Sequence, residues 1–147
     1  MTDLPDAGGS RKRILAIDVG EVRIGLAVSD ETGFLATPVE AIKRTDPESD
    51  SHAVIAAAER VGAVRIVVGM PVSLNGTHGS QARRVQGFRR ILIEATELPV
   101  ESWDERFSTV EAERRLRESG VEPSRDRARL DSAAAAIILQ SFLDAHR

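Results

Sequence analysis

Three acidic positions in this chain could do chemistry together. Asp18 interrupts an apolar run, Ile14-Leu15-Ala16-Ile17-Asp18-Val19, that Gly20 closes. An ionised carboxylate in such surroundings is costly unless it is paired or binds a cation. Asp104 and Glu105 are neighbours in Trp103-Asp104-Glu105-Arg106-Phe107, at the end of a short strand-like run. Adjacent strand residues point to opposite faces, so only one of the two can share a face with a given partner. Asp131 precedes a long alanine- and isoleucine-rich run, and steps of four, seven and eleven from it reach Ala135, Ile138 and Phe142. That spacing puts it on the buried stripe of a helix. Each position also has a plainer reading. Asp18 would cap a turn, Asp104 or Glu105 would cap the next helix while Arg106 pairs locally, and Asp131 would be a helix N-cap.

Carboxylates gathered at one point repel one another, and a divalent cation removes the repulsion. Hard oxygen donors without imidazole or thiolate favour Mg²⁺ or Mn²⁺. Two such ions about 3.5–4 Å apart would activate a water and stabilise the leaving oxygen of a phosphodiester. The chemistry expected is therefore hydrolysis of nucleic acid. The chain has no Cys, three His and no His-Glu-x-x-His pair, which sets aside thiolate chemistry, disulfides and the common zinc sites.

The elements that must position these acids follow from the pattern. Ile14 to Val19 and Ile24 to Val28 read as a hairpin across Gly20-Glu21-Val22-Arg23, with a third strand over Phe34 to Ile42 broken by Pro38. Val54, Ala57, Ala58 and Val61 mark a helix over Ser51 to Val61, stopped by Gly62. Val64 to Val68 is apolar on both faces, as a buried parallel strand requires. The loop from Gly69 to Gly79, a helix over Gln81 to Ala95 and a strand over Pro99 to Trp103 follow. A charged helix from Thr109 to Glu118 precedes a stretch opened by Pro123-Ser124, with a helical core from Leu130 to Leu143. The order implies an α/β fold with a mixed five-stranded sheet, its first three strands antiparallel and the rest parallel, and helices on both faces. Ligands of such sheets gather at the carboxyl ends of the parallel strands.

At 147 residues one domain is expected, over 14–147, after a disordered tail over 1–13 that mixes Asp, Pro, Gly and Ser. No apolar run suits a membrane span or a secretory signal, so the expected location is cytoplasmic, with no membrane partner. The net charge of −3 argues against a histone-like binder but leaves room for a local basic face. All basic residues except Lys12 and Lys43 are arginines, whose forks suit phosphate.

Four motifs in register resemble the YqgF family, also called RuvX. They are Asp18-x-Gly20-x-x-Arg23-Ile24-Gly25-x-Ala27-x-Ser29-Asp30, Val68-Gly69-Met70-Pro71 with Asn75-Gly76-Thr77-x-Gly79, Asp104-Glu105-Arg106-Phe107-Ser108-Thr109, and Asp131-x-x-Ala134-Ala135-x-Ile137-x-Leu139-Gln140. The matches to the family run in order from Ile14 to Leu143. Met70 and Leu74-Asn75 depart mildly from the family pattern and leave the acids intact. The resemblance implies an RNase H-like fold related to Holliday junction resolvases, and a nuclease that processes the 5′ end of the 16S ribosomal RNA precursor. It implies catalytic acids at Asp18, Glu105 and Asp131, with Asp104 beside them as a further metal ligand and Glu105 favoured of the pair. Arg23, Asn75, Thr77 and Arg106 stand near the same edge as candidate phosphate holders, although Arg23 and Arg106 could equally pair with the neighbouring carboxylates.

Other functions fit less well. Actin-like ATPases and sugar kinases begin with a similar Asp-x-Gly strand but close two such domains around ATP, and this chain has room for one. A non-catalytic RNA-binding assembly module would not need the intact acids. Precursor RNA and branched DNA are both read through phosphate contacts and shape, and resolving a junction would require a dimer.

Overall fold

The computed structural model describes residues 12–71, 79–119 and 131–146. Strands β1 (Arg13–Val19), β2 (Arg23–Ser29) and β3 (Ala36–Lys43) form an antiparallel meander. Strands β4 (Ala63–Met70) and β5 (Val100–Asp104) extend the sheet in parallel from the other side of β1, giving the order β3-β2-β1-β4-β5. This is the mixed sheet that the apolar pattern implies. Pro38 lies inside β3 opposite Ala27, which an edge strand tolerates because one side of its backbone needs no partner.

Alternation along the strands divides the core in two. Leu15, Ile17 and Val19 of β1 join Ile24, Leu26, Ile66, Val68 and Met70 on one face, against Val54, Ala57 and Ala58 of helix α1 (Pro47–Val61) and Val85, Phe88 and Leu92 of helix α2 (Ser80–Ala95). Ala16, Ala27 and Val67 occupy the other face. They pack with Leu116 of helix α3 (Val110–Glu118) and with Ala135, Ile138, Leu139 and Phe142 of helix α4 (Ala133–Ala145). This second face is paved with small side chains, so α4 lies close to the sheet. A Cβ on Gly69 would stand 2.5 Å from Cδ1 of the buried Ile138.

Several boundaries move for local reasons. Arg13, which composition assigns to the tail, is already in β1 opposite Ala63. Helix α1 starts at Pro47 rather than Ser51 because the Asp46 side chain caps it by accepting from the Ser49 amide. Its end at Gly62 has φ +72, the left-handed cap that glycine permits. The buried Gln140 ties α4 to the β3 edge, accepting from the Ala36 amide and donating to the Phe34 carbonyl. Residues 1–11 of the expected tail, Asn75, Thr77, Pro123 and Ser124 lie outside the described residues. No helix among the described residues is long and apolar enough to cross a membrane.

Candidate active site

Asp18 stands near the carboxyl end of β1, directly opposite Gly25 of β2. Directly opposed residues share a face of the sheet. A Cβ on Gly25 would stand 2.7 Å from the Asp131 carbonyl oxygen and 3.1 Å from the Ser132 Cα. The segment before α4 therefore rests on the sheet beside Asp18, in space that only glycine leaves open. Where the β2–β3 register shifts between Ile24 and Leu26, the Leu26 amide donates to Ser132 Oγ at 2.9 Å, which pins that segment down. Helical spacing carries the buried stripe of α4 back to Asp131, but the helix begins at Ala133, with Ser132 at its N-cap. Asp131 reaches the sheet from the turn ahead of the helix and is neither a body residue nor the cap.

The acidic pair separates into two roles. Strand β5 ends at Asp104, and a 3₁₀ turn spans Glu105–Phe107. Asp104 caps that turn by accepting from the Arg106 amide at 2.8 Å, and it holds the Arg106 guanidinium at 2.7 Å. The hydrogen bond from Arg106 keeps the Asp104 carboxyl below its ordinary value. Glu105 behaves in the opposite way: burial first, then the charges of Asp18 and Asp104, push its carboxyl up. Burial alone pushes Asp18 up. Among the described residues neither the Asp18 nor the Glu105 carboxylate has a hydrogen bond or ion pair, so desolvation and mutual repulsion go uncompensated.

Arg23 and Arg106 both pair with neighbouring acids, Arg106 with Asp104 and Arg23 Nε with Asp131 Oδ2 at 3.2 Å. The Asp131 oxygen is buried and lacks an aligned hydrogen bond even so. No three carboxylates or imidazoles among the described residues already stand close enough to hold one ion. The donors nevertheless suit a hard divalent cation: two carboxylates that repel each other and lack partners among the described residues, and a third with a buried oxygen that faces an arginine.

The supporting residues are harder to read from sequence. Asp50 is buried and accepts from Arg44 Nε at 2.9 Å and from the Thr45 amide. Arg44 in turn donates to the Gly20 carbonyl at 2.8 Å, fixing the turn that follows Asp18. Arg84 of α2 reaches Glu21 on the same turn at 3.3 Å. None of these residues lies in an acidic motif, and their only sequence signal is the caps and strands that flank them.

Residues 12–145 match the RuvX family, described as Holliday junction resolvase. A protein of Symbiobacterium thermophilum named "Putative pre-16S rRNA nuclease" is 47% identical over 133 residues, 90% of this chain and 92% of that protein. One of the same name from Mycobacteroides abscessus is 46% identical over 97% of this chain and 87% of its own. Among solved structures, Thermus thermophilus RuvC in complex with a Holliday junction substrate superposes with a TM-score of 0.60 at 18% identity, covering 92% of this chain and 95% of that one. Fowlpox virus resolvase with its junction DNA gives 0.57 at 12% identity, covering 91% and 98%. The sheet order, the helix placement and these likenesses agree on an RNase H-like fold, and the chain belongs to the RuvX family.

Proposed function

We propose that this chain is a cytoplasmic nuclease that hydrolyses phosphodiester bonds in the 16S ribosomal RNA precursor, with Asp18, Glu105 and Asp131 as its catalytic carboxylates. The observation that carries the reading is the pair Asp18 and Glu105, half-buried, like-charged and without partners among the described residues, at the carboxyl end of the sheet. A fold keeps such an unfavourable pair where a ligand compensates it. Mg²⁺ or Mn²⁺ suits these oxygens, and such an ion, when bound, lowers the pKa of a water and stabilises the leaving oxygen. Asp18 and Glu105 would hold it, joined by Asp131 once Arg23 turns from that carboxylate to a substrate phosphate. Asp104 shapes the turn and restrains Arg106, the second candidate for a phosphate.

The test compares one preparation on precursor RNA, single-stranded RNA and a four-way DNA junction, with Mg²⁺, with Ca²⁺ and with EDTA. Cleavage of the precursor that stops in EDTA and turns over poorly in Ca²⁺ is expected. Undiminished cleavage in EDTA would refute the metal requirement. Preference for the junction, with a dimer in solution, would reassign the substrate. Metal-dependent RNA binding without cleavage would favour an assembly module.

A further inference from the structure

Phe107 ends the turn that Glu105 begins, and it is 53% exposed. The chain has only four phenylalanines and one tryptophan, so an aromatic ring left in water beside a candidate catalytic acid calls for a reason. The ring is held firmly. It meets Trp103 edge-on at 5.2 Å, and Trp103 is fixed by donating from Nε1 to Ser141 Oγ at 2.7 Å and by a second edge contact with the buried Phe142. Val110, 81% exposed at the start of α3, extends the apolar surface.

Trp103, Phe107, Thr109 and Ala145 line a groove of about 540 Å³ between the turn, α3 and α4. Its charged groups are already paired. Arg115 holds Asp144 at 3.3 Å and lies 3.9 Å from Glu111, while Arg106 holds Asp104. An apolar floor with a neutralised rim does not select a phosphate. It selects a flat, weakly polar body on the same strand as the bond cleaved at the proposed site.

We propose that the groove binds an unpaired nucleobase of the substrate strand, stacked on Phe107 and adjacent to the bond at Glu105, so that the chain prefers single-stranded to double-stranded nucleic acid. The inference rests on Asp18 and Glu105 being the hydrolytic site, and Phe107 of the groove ends the turn that Glu105 begins. A base inside a duplex has both faces covered by its neighbours, whereas an unpaired base offers a face to a protein ring. Phe107 is a positioning residue in this scheme and takes no part in bond breaking.

The test uses the full chain carrying Glu105→Gln, so that RNA stays intact, and a short single-stranded RNA with 2-aminopurine as the probe, free or annealed to its complement. Phe107→Leu keeps an apolar side chain against Trp103 but removes the flat ring. It should weaken single-strand binding about tenfold, the order a stacked base contributes. It should also lose the fluorescence quench and leave duplex binding unchanged, while Phe107→Trp restores both. Unchanged single-strand affinity in Phe107→Leu would overturn the proposal. So would equal loss on single strand and duplex, or a dimer that Phe107→Leu dissolves without altering RNA affinity. A failed nuclease reading shows differently, as absence of metal-dependent cleavage by the unmodified chain on every substrate.

Discussion

At the scale of single residues, Asp18 and Glu105 are expensive. Both carboxyls sit above their ordinary value in the folded chain, so the folded state holds those protons more tightly than the unfolded state. Their contribution to stability is therefore greatest at or below the ordinary carboxylate values, falls as pH rises from there through the raised folded values, and stays low above them. Asp18→Asn removes one charge and keeps the shape. Its melting temperature should match the parent's in acid and exceed it near neutrality, the difference opening across that window, while nuclease activity is abolished. Melting curves from acid to neutral pH, paired with the cleavage assay, check both halves. A variant that melts lower at neutral pH would show that Asp18 makes a structural contact, and full activity would place the chemistry elsewhere. Asp104, the neighbour of Glu105, carries the opposite shift because Arg106 satisfies it, so the two stand in different environments although they adjoin in sequence.

Among elements, the decisive contact is the approach of the segment before α4 to β2. A Cβ on Gly25 would stand 2.7 Å from the Asp131 carbonyl oxygen, and backbone cannot swing aside as a side-chain tip can. Gly25→Ala should therefore cost about 1–3 kcal/mol by overpacking and displace Asp131 from the neighbourhood of Asp18. Denaturant unfolding measures the first effect. The second should appear as lost cleavage under conditions where the variant is still folded. A stable, fully active Gly25→Ala would show that the helix start can shift without disturbing the site. The same contact explains what was legible beforehand. The succession of strands and helices, the mixed sheet with its two helix-covered faces and the acids at strand ends follow from alternation and from apolar runs, which are local signals. The true position of Asp131 does not, because counting by helical steps cannot tell where a helix starts. That start is set by Ser132 and Gly25, residues far apart in sequence. The Arg44–Asp50 pair and the exposure of Phe107 were hidden for the same reason: each depends on what lies across the fold.

For the whole molecule, a chain of net charge −3 has to accept a polyanion. Among the described residues, Arg23 is engaged with Asp131, Arg84 with Glu21 and Arg106 with Asp104, so a phosphate bound by any of these arginines exchanges for an acid. Affinity for RNA should fall steeply as monovalent salt rises, through release of counterions, and should rise when Mg²⁺ is added at constant ionic strength. Titrations at several salt concentrations, with and without Mg²⁺, measure both. An affinity indifferent to salt would mean that recognition rests on apolar contacts alone. The hydrogen bond from Leu26 to Ser132 spans 106 residues and has a consequence in time. During synthesis the hairpin that bears Asp18 emerges early, and Glu105 much later, yet the turn that brings Asp131 to them follows last of all. On the proposed reading, a growing chain has its three acids together only after the segment leading into α4 has been made and has docked on β2.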